Sequence, residues 1–269
     1  MTKRNKAIRF YHRIRKYLYK KIINDKDLIL VYTLSKVGSS SVYYSLKKTY
    51  PYKEIHHVHF LGDTWLNKFK TGHRIFNNNL KNAERIFTLL NKKPWRLKII
   101  ALTRDPIARD ISGMFQTWQH VFDVPDITEV PAEQIVEQLH KNDFLYSQNW
   151  FETDFMEFTG LNVFQEGFDA EQGYQIYKTD QADILIMQLE QLNVIYNEAM
   201  QAFLGNGSYV LQKENITASR ESGKLHSQVK GLLRLPPETL EEICTSDYMT
   251  TFYNAVQLEK FKERWVEKL

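Results

Sequence analysis

Residues 35–41, which read S-K-V-G-S-S-S, have the composition of a loop that binds a phosphate-like anion. They follow a short uncharged run at residues 28–34, which is typical of a strand buried on both faces. The helical spacing of apolar side chains in residues 42–48 predicts a helix after the loop, with a serine as its N-cap. Backbone N–H groups and the helix dipole stabilise a bound phosphate, and Lys36 adds a mobile ammonium.

Taken alone, this loop has a second interpretation as a flexible connector between two elements. It also differs from the G-x-x-x-x-G-K-[ST] phosphate loop of NTPases, because Lys36 precedes Gly38. The interpretation as an anion site therefore depends on a second stretch, T-R-D-P-I-A-R-D-I-S at residues 103–112.

This second stretch also follows a short apolar run and has the pattern of a strand that leads into a helix. Pro106 suits the first turn of a helix, so we expect Asp105 to be the N-cap. Arg104 then lies at the carboxyl end of a strand, where α/β sheets place their ligands. Ser112 comes eight positions later, about two turns into the helix. An arginine fork and a hydroxyl suit a second phosphate, whereas the alternative is a structural pair of Arg104 with Asp105.

Together and in this order, the two stretches resemble those of the sulfotransferases that use 3′-phosphoadenosine 5′-phosphosulfate (PAPS). In that family a loop like T-L-S-K-V-G-S-S-S binds the 5′-phosphosulfate. A motif like T-R-D-P-I-A-R-D-I-S binds the 3′-phosphate through its arginine and its serine, with this same spacing. Ser35 stands where many members have proline. The resemblance assigns the donor site to Lys36, Gly38, Ser39, Ser40, Ser41, Arg104 and Ser112, and it assigns Lys36 to catalysis as well.

The resemblance also implies an α/β fold of the three-layer, P-loop-like kind, with a central, mainly parallel sheet flanked by helices. It implies transfer of a sulfuryl group from PAPS to an acceptor hydroxyl, with release of 3′-phosphoadenosine 5′-phosphate (PAP). The alternation of strand and helix patterns along the chain indicates the same kind of sheet from the residues themselves.

Three histidines occur in four residues of the run Y-K-E-I-H-H-V-H-F-L at residues 52–61. Strand alternation places His57 and His59 on one face, where they could hold a metal ion or act as a general base. No carboxylate or cysteine cluster in the sequence matches them, so we expect no metal. An acceptor hydroxyl must lose a proton, and imidazole titrates near neutral pH. Because H-V-H-F-L resembles the histidine-bearing strand of 2-O-type glycan sulfotransferases, we predict His59 as the base, with His57 second. The alternative is a pair of satisfied structural histidines.

The composition, 43% hydrophobic and 25% charged residues, is that of an ordinary globular protein. A net charge of +4 suits anionic ligands and is too small to predict nucleic-acid binding. The single cysteine, Cys244, excludes an internal disulfide and a cysteine-rich metal site, which favours a reducing, cytoplasmic location. We expect one sulfotransferase-like α/β domain at residues 27–269.

Residues 1–26 form a separate, strongly basic segment before this domain. Apolar Ile8, Tyr11, Ile14, Tyr17 and Leu18 recur at helical steps, which predicts a basic amphipathic helix. The segment lacks the continuous apolar core of a signal peptide or a membrane span. It could contact an anionic membrane at its inner face, or an acidic partner, and the alternative is a solvated helix packed on the domain.

The later part of the chain gives weaker signals for the site. Residues 212–236 begin as a basic loop, and by analogy with a loop that covers the nucleotide in many sulfotransferases we assign Arg220 and Lys224 to the donor site. From residue 237 onward the pattern predicts two amphipathic helices that dock against the sheet through Tyr253, Val256 and Phe261.

The acceptor is predicted from a narrower resemblance. The run N-W-F-E at residues 149–152 and the closing run at residues 252–265 resemble a bacterial subgroup linked to capsular polysaccharide synthesis, which implies a saccharide or polysaccharide acceptor. Trp150 is expected to pack in the core rather than to face the sugar. The polar stretch at residues 63–93 is expected to be mainly a solvated face, and its alternative role is to line a cleft for an acidic acceptor.

Two other functions remain open from the sequence alone. One is a non-catalytic relative that binds a glycan or an assembly partner without nucleotide. The other is an ATP-dependent P-loop kinase, which would require Mg²⁺ and which lacks the usual G-K-[ST] order here.

Overall fold

A five-stranded β-sheet forms the centre of the structure, a computed structural model that describes residues 14–15, 17–18, 26–70, 77–212 and 222–267. The strand order is β2-β1-β3-β5-β4. Neighbouring strands are parallel except for β4 and β5, which are antiparallel. The expected α/β architecture with a mainly parallel sheet and flanking helices is confirmed, while the P-loop-like assignment stays a prediction. The strands are β1(Asp27–Tyr32), β2(Glu54–Val58), β3(Arg96–Thr103), β4(Tyr174–Lys178) and β5(Ala182–Gln188).

Helices connect the strands and cover the sheet. Shorter turns of 3-10 geometry occupy Trp118–His120, Ile127–Glu129 and Leu189–Gln191, and a π-helical turn occupies Phe151–Phe155. The α-helices are α1(Ser39–Thr49), α2(Asp63–Lys70), α3(Asn77–Leu90), α4(Pro106–Thr117), α5(Ala132–Leu139), α6(Tyr146–Trp150), α7(Met156–Thr159), α8(Val163–Glu166), α9(Leu192–Leu204), α10(Gly223–Leu232), α11(Pro237–Cys244), α12(Asp247–Phe252) and α13(Ala255–Trp265).

The sheet is buried on both faces. Every residue of the run 28–32 in β1 is buried, and so is every residue of the run 99–103 in β3. Successive side chains of a strand point to opposite faces, so uninterrupted burial means that neither face meets solvent. Because β1, β2, β3 and β5 are parallel, their carboxyl ends lie at one edge of the sheet, and the segments that follow them are brought together there.

The helix after β1 begins without the predicted serine cap. Gly38 is the N-cap, in a left-handed conformation with φ of 81°, and no side chain caps this helix. The left-handed conformation favours glycine, and a Cβ at this position would lie 2.6 Å from Cδ1 of Leu189, so the Leu189 side chain would also have to shift. Val42 and Leu46 are fully buried, as their spacing predicted. The serine prediction was wrong because the chain enters this helix through a left-handed glycine.

Asp105 caps α4 as predicted, and it also anchors the end of the chain. Its side chain accepts a hydrogen bond from the Ala108 amide at 2.9 Å, and Pro106 takes the first helical position. The other carboxylate oxygen accepts from the indole Nε1 of Trp265 at 2.9 Å. Trp265 is fully buried at the end of α13, so one carboxylate joins the start of α4 to the final helix.

The C-terminal region differs from the prediction of two helices, because three helices, α11, α12 and α13, follow residue 236. Tyr253 and Phe261 are buried as expected, whereas Val256 is 62% exposed. The buried positions of α13 are Phe261 and Trp265, four residues apart, and Val256 lies away from that face of the helix. Its assignment to the core was wrong.

The basic N-terminal segment is described only at Ile14, Arg15, Tyr17, Leu18 and Lys26. The first four of these are helical and exposed, in agreement with the predicted helix. The guanidinium of Arg15 lies 5.5 Å from the centre of the Tyr52 ring. In the part of the chain that the structure describes, no helix has the length and apolar character to span a membrane. Contact of the segment with a membrane surface stays a prediction.

We expect Asp105→Ala to destabilise the protein by about 2–4 kcal/mol, because it removes a helix cap and leaves a buried indole N–H without its acceptor. Chemical unfolding measures this change. Asp126→Ala is a matched control, since Asp126 caps the turn at Ile127–Glu129 from an exposed position and should cost far less. Equal effects of the two changes would show that the contact between Asp105 and Trp265 contributes little.

Candidate functional site

The two predicted anion-binding motifs meet at the carboxyl edge of the sheet. Arg104 directly follows β3, and its Nη1 donates to the carbonyl oxygen of Lys36 at 2.5 Å and to the hydroxyl of Ser112 at 3.2 Å. The first contact reaches the loop after β1, and the second reaches the middle of α4. One guanidinium therefore connects both motifs, and the eight-residue spacing of Arg104 and Ser112 does place them side by side.

The loop between β1 and α1 contains two left-handed residues, Lys36 with φ of 69° and Gly38 with φ of 81°. A positive φ is unusual for a residue with a side chain, so surrounding contacts must hold Lys36 in this conformation. The carbonyl of Lys36 faces Arg104. The first turn of α1 contains no acidic residue, so its positive dipole end is not neutralised locally. Ser39 is buried in that turn, and Ser40 and Ser41 are half-buried.

A second group of basic side chains surrounds Ser112. The Nε2 atom of His226 lies 3.3 Å from the Ser112 hydroxyl, and His226 belongs to α10. Burial, followed by the charges of Arg104, Lys230 and Lys36, lowers the pKa of His226 to about 4. Burial, with the charges of nearby arginines, also lowers the pKa of Lys230. These basic groups oppose one another's charge, which is the electrostatic condition that a bound anion would relieve.

The sequence predicted no site role for His226 and Lys230, because residues 212–236 were interpreted from the basic, aperiodic loop with which they begin. Their i, i+4 spacing was the available signal, and it puts both on one face of α10. The sequence analysis placed Lys224 in a loop. The structure corrects this, because Lys224 lies in the first turn of α10 with an exposed side chain. Arg220 lies outside the described residues. Roles for Lys224 and Arg220 in donor binding stay predictions.

The backbone of Arg104 is held from the C-terminal half of the chain. The phenol of Tyr248 accepts from the Arg104 amide at 2.9 Å and donates to the Arg104 carbonyl at 2.9 Å. Burial lowers the pKa of Arg104, and the nearby carboxylates Asp105 and Glu190 oppose that shift. Glu190 in turn accepts from the Asp105 amide at 2.8 Å. Arg104 therefore stays fixed and charged beside residues 35–41, the predicted anion-binding loop, which is called the anion loop below.

His59 is oriented so that one ring nitrogen can act as a base. Its Nδ1 lies 2.7 Å from the carbonyl oxygen of Thr33. A carbonyl only accepts, so Nδ1 carries the proton and Nε2 keeps a lone pair. Burial lowers the pKa of His59, although the bond to Thr33 opposes this, and the charges of Arg109 and Lys36 lower it further. His59 is therefore neutral near pH 7 and able to accept a proton.

His57 lies beside His59 but has a different environment. The two rings are 4.7 Å apart, and Nε2 of His57 lies 2.9 Å from the hydroxyl of Ser39 in the first turn of α1. Its ring also stacks on Tyr43, with centres 5.5 Å apart. Burial, followed by the neighbouring His59, lowers the pKa of His57 to about 3. His57 thus connects Ser39 at the start of α1 with His59, and its Nε2 already has Ser39 as a hydrogen-bond partner.

Four contacts fix the backbone around His59. The His59 amide donates to the Asn79 side chain at 2.6 Å, and the indole of Trp150 donates to the His59 carbonyl at 2.7 Å. Just beyond, the carboxylate of Asp154 accepts from the amides of Leu61 at 3.1 Å and Gly62 at 2.9 Å. Trp150 is fully buried, so its expected place in the core is confirmed.

Asp154 also connects this segment to the end of β1. It lies in the π-helical turn at Phe151–Phe155, is fully buried, and accepts a hydrogen bond from the Tyr32 hydroxyl at 2.5 Å. Burial raises the pKa of Asp154 to about 7, against three hydrogen bonds that favour its charged form. Sequence reasoning did not single out Asp154, because a π-helical turn interrupts the helical period that would have placed it.

A cleft of about 820 Å³ opens beside the histidine pair. Part of the stretch at residues 63–93 lines it, so that stretch is not only a solvated face. In the described part of the chain, no group of three or more histidine, cysteine or acidic residues could hold a metal ion. Residues from several parts of the chain line the cleft. They include His57, His59, Trp65, Lys68, Asn78, Asn82, Arg109, Gln116, Lys141 and Tyr146.

The chain was compared with known proteins. A model of the NKWYS family, described as "Putative capsular polysaccharide synthesis protein", matches residues 129–254. No curated protein and no solved structure matches the chain. The matched segment contains Trp150, Asp154, His226 and Tyr248. It begins after the anion loop, the histidine pair and Arg104, so the match supports a role in polysaccharide biosynthesis and does not concern those residues.

The raised pKa of Asp154 predicts a specific dependence of stability on pH. Its folded-state pKa of about 7 lies above the value of about 3.9 expected in the unfolded chain. The carboxyl therefore contributes stability that is present below about pH 4 and is lost as pH rises to about 7. The free energy of unfolding of the wild type, relative to Asp154→Asn, should fall over this range and then level off.

Urea unfolding at a series of pH values measures this difference, with the exposed Asp143→Asn change as the control. A difference between wild type and Asp154→Asn that stays constant from about pH 4 to about pH 7 would contradict the raised pKa of Asp154.

Proposed function

We propose that the protein is a sulfotransferase that moves the sulfuryl group of PAPS to a hydroxyl of a saccharide. The observation that carries this proposal is the double contact of Arg104, whose guanidinium bonds both the Lys36 carbonyl and the Ser112 hydroxyl. A ligand with two anionic ends would find one end of its site at the loop and the other at Ser112. The resemblance of both motifs to the PAPS-dependent family supports the same ligand.

The basic residues of the site fit such a donor. Residues 38–41 would hold the 5′-phosphosulfate through the start of α1, with its unneutralised dipole. Arg104 and Ser112 would hold the 3′-phosphate, and His226 and Lys230 would add positive charge around it. When bound, PAPS supplies the sulfuryl group and leaves as PAP.

The chemical step would use Lys36 and His59. As the acceptor oxygen bonds to sulfur, the bond between sulfur and the phosphate oxygen breaks, and the acceptor proton passes to Nε2 of His59. Lys36 would neutralise the charge that grows on the departing oxygen, and fixed donors of this kind usually give the largest catalytic contribution. The depressed pKa of His59 keeps the nitrogen free of a proton, and a bound anion nearby would make it more basic.

A saccharide acceptor is supported by the family match and by the cleft. The cleft of about 820 Å³ reaches the histidine pair and is large enough for a small ligand or part of a larger one. Amide side chains at its surface, such as Asn78, Asn82 and Gln116, can both donate to and accept from sugar hydroxyls.

Thermal unfolding with PAP, with ATP and Mg²⁺ as the comparison, tests the proposal. A ligand at 100 times its dissociation constant stabilises by about 2.7 kcal/mol, which is roughly 5–10 °C for a domain of this size. We expect this shift with PAP, and we expect Arg104→Ala to abolish it. Arg96→Ala is a matched control, because Arg96 begins the same strand and pairs with Asp27 at the other edge of the sheet.

Other outcomes of this experiment would assign the protein differently. A shift only with ATP and Mg²⁺ would favour a kinase. The absence of any shift would favour a relative that binds a glycan without nucleotide.

The position of His226 predicts that PAP binds more tightly at lower pH. The pKa of His226 is about 4 without a ligand, and a phosphate beside it would raise that value. A group whose pKa rises on binding takes up a proton, so the affinity increases as pH falls through the bound-state pKa towards the unliganded value of about 4. The wild type should therefore gain more affinity than His226→Gln between about pH 7 and pH 5.

Titration calorimetry at several pH values measures this difference in affinity. The ionisation of PAP itself affects both proteins equally, so it cancels in the comparison. His140→Gln, an exposed histidine at the end of α5, is the control. Identical pH dependence in wild type and His226→Gln would exclude His226 from the phosphate site.

A further inference from the structure

Arg109 is a buried cation between the anion loop and the cleft, and the mechanism above does not use it. It is 8% exposed and lies in the first half of α4. Its Nη1 donates to the carboxylate of Asp110 at 2.6 Å, and its guanidinium carbon lies 4.0 Å from the centre of the Tyr146 ring. An ion pair and a ring face together hold the guanidinium in one place.

The remaining contacts of Arg109 are to the anion loop. Its Nε lies 3.4 Å from the carbonyl oxygen of Ser35, and its Nη2 lies 3.4 Å from the Ser35 hydroxyl. The next carbonyl, that of Lys36, accepts from Arg104. Two successive carbonyls of the loop, one before and one after the left-handed φ of Lys36, therefore each accept from an arginine. Both arginines belong to the motif at residues 103–112.

This pairing accounts for how the loop keeps an unfavourable conformation. A left-handed residue with a side chain persists only where surrounding contacts hold it. Arg104 holds the carbonyl at position 36, and Arg109 holds the one before it. Release of either contact would let Lys36 return to a common conformation, and its ammonium and the amides after it would turn with the backbone.

We propose that Arg109 is a positioning residue for the transfer reaction, which fixes the Ser35–Lys36 turn of the anion loop and faces His59 at the edge of the cleft. This inference rests on the proposed function, because it assumes that the loop holds the donor and that His59 takes the acceptor proton. Arg109 itself touches neither reacting group.

The position of Arg109 also affects the protonation of His59. The basic groups that face His59 are His57 on β2, Lys36 on the loop and Arg109 on α4. After burial, the charge of Arg109 is the first electrostatic cause of the lowered pKa of His59. The same guanidinium thus holds the conformation of the loop and disfavours a second proton on His59. His59 therefore stays neutral and can accept a proton at neutral pH.

Two substitutions separate these roles. Arg109→Lys keeps the charge but loses the planar fork that reaches Ser35, Asp110 and the ring of Tyr146 together. Arg109→Gln loses the charge as well. Arg85→Gln, on an exposed arginine of α3, removes the same charge elsewhere and is the control.

The experiment combines titration calorimetry with PAP and NMR titration of the histidine side chains in the full chain, with the His59 signal identified by His59→Gln. We expect Arg109→Lys to weaken PAP binding by roughly 5–30-fold, the scale of one lost charged hydrogen-bond contact, and to leave the pKa of His59 near the wild-type value. Arg109→Gln should weaken PAP binding and also raise the pKa of His59, whereas Arg85→Gln should do neither.

The inference would be overturned by wild-type PAP affinity in Arg109→Lys, or by an unchanged pKa of His59 in Arg109→Gln. A role in overall stability alone would lower the unfolding temperature without changing either measurement. If Arg109→Gln does not fold, Arg109→Lys still decides the role in the loop. Failure of the wild type to bind PAP would refute the proposed function instead, and the histidine titration would still test the contact with His59.

Discussion

The hydrogen bonds of Arg104 are the interaction on which the rest of the site depends. Its guanidinium joins the carbonyl of Lys36 to the hydroxyl of Ser112, and so connects the end of β1, the end of β3 and α4. The side chain can serve as this connection because its backbone is held at both the amide and the carbonyl by Tyr248. Arg109 then extends the same connection from α4 to Ser35 and to the cleft.

The two halves of the chain contribute different things to this edge of the sheet. The N-terminal half carries the anion loop, the histidine pair and Arg104. The segment that matches the polysaccharide family supplies their supports, since Trp150 and Asp154 hold the backbone around His59 and Tyr248 holds that of Arg104. A fully buried support has few alternative positions, so it can hold a reactive group within a narrow geometry. The family match therefore covers residues that hold the backbone around His59 and Arg104 in place.

Several basic side chains lie together around Ser112 in the candidate site. Burial lowers the pKa of Arg104, His226 and Lys230, and the charge of Arg104 lowers that of His226 and Lys230 further. The charges of Asp105 and Glu190 partly balance that of Arg104, and both carboxylates accept hydrogen bonds from backbone amides. The proposed phosphate site around Ser112 is therefore lined by Arg104, His226 and Lys230.

The sequence by itself determined the features that depend on neighbouring residues. The buried strands, the cap at Asp105 and the approach of Arg104 to Ser112 follow from apolar runs, capping preferences and the length of two helical turns. The same local reasoning was wrong about the serine cap and about Val256, where a left-handed entry and the orientation of a helix face were decided by packing.

Only the tertiary structure decided which distant residues meet. His226 reaches Ser112 across 114 positions, and Asp154 reaches Tyr32 across 122. No pattern within one helix or strand contains such a distance, because contacts of this range are fixed by how the elements pack rather than by any single element's period. The candidate residues Lys36, His59, Arg104 and Ser112 could therefore be proposed from their motifs, whereas their supports and their charged neighbours became visible only in the folded chain.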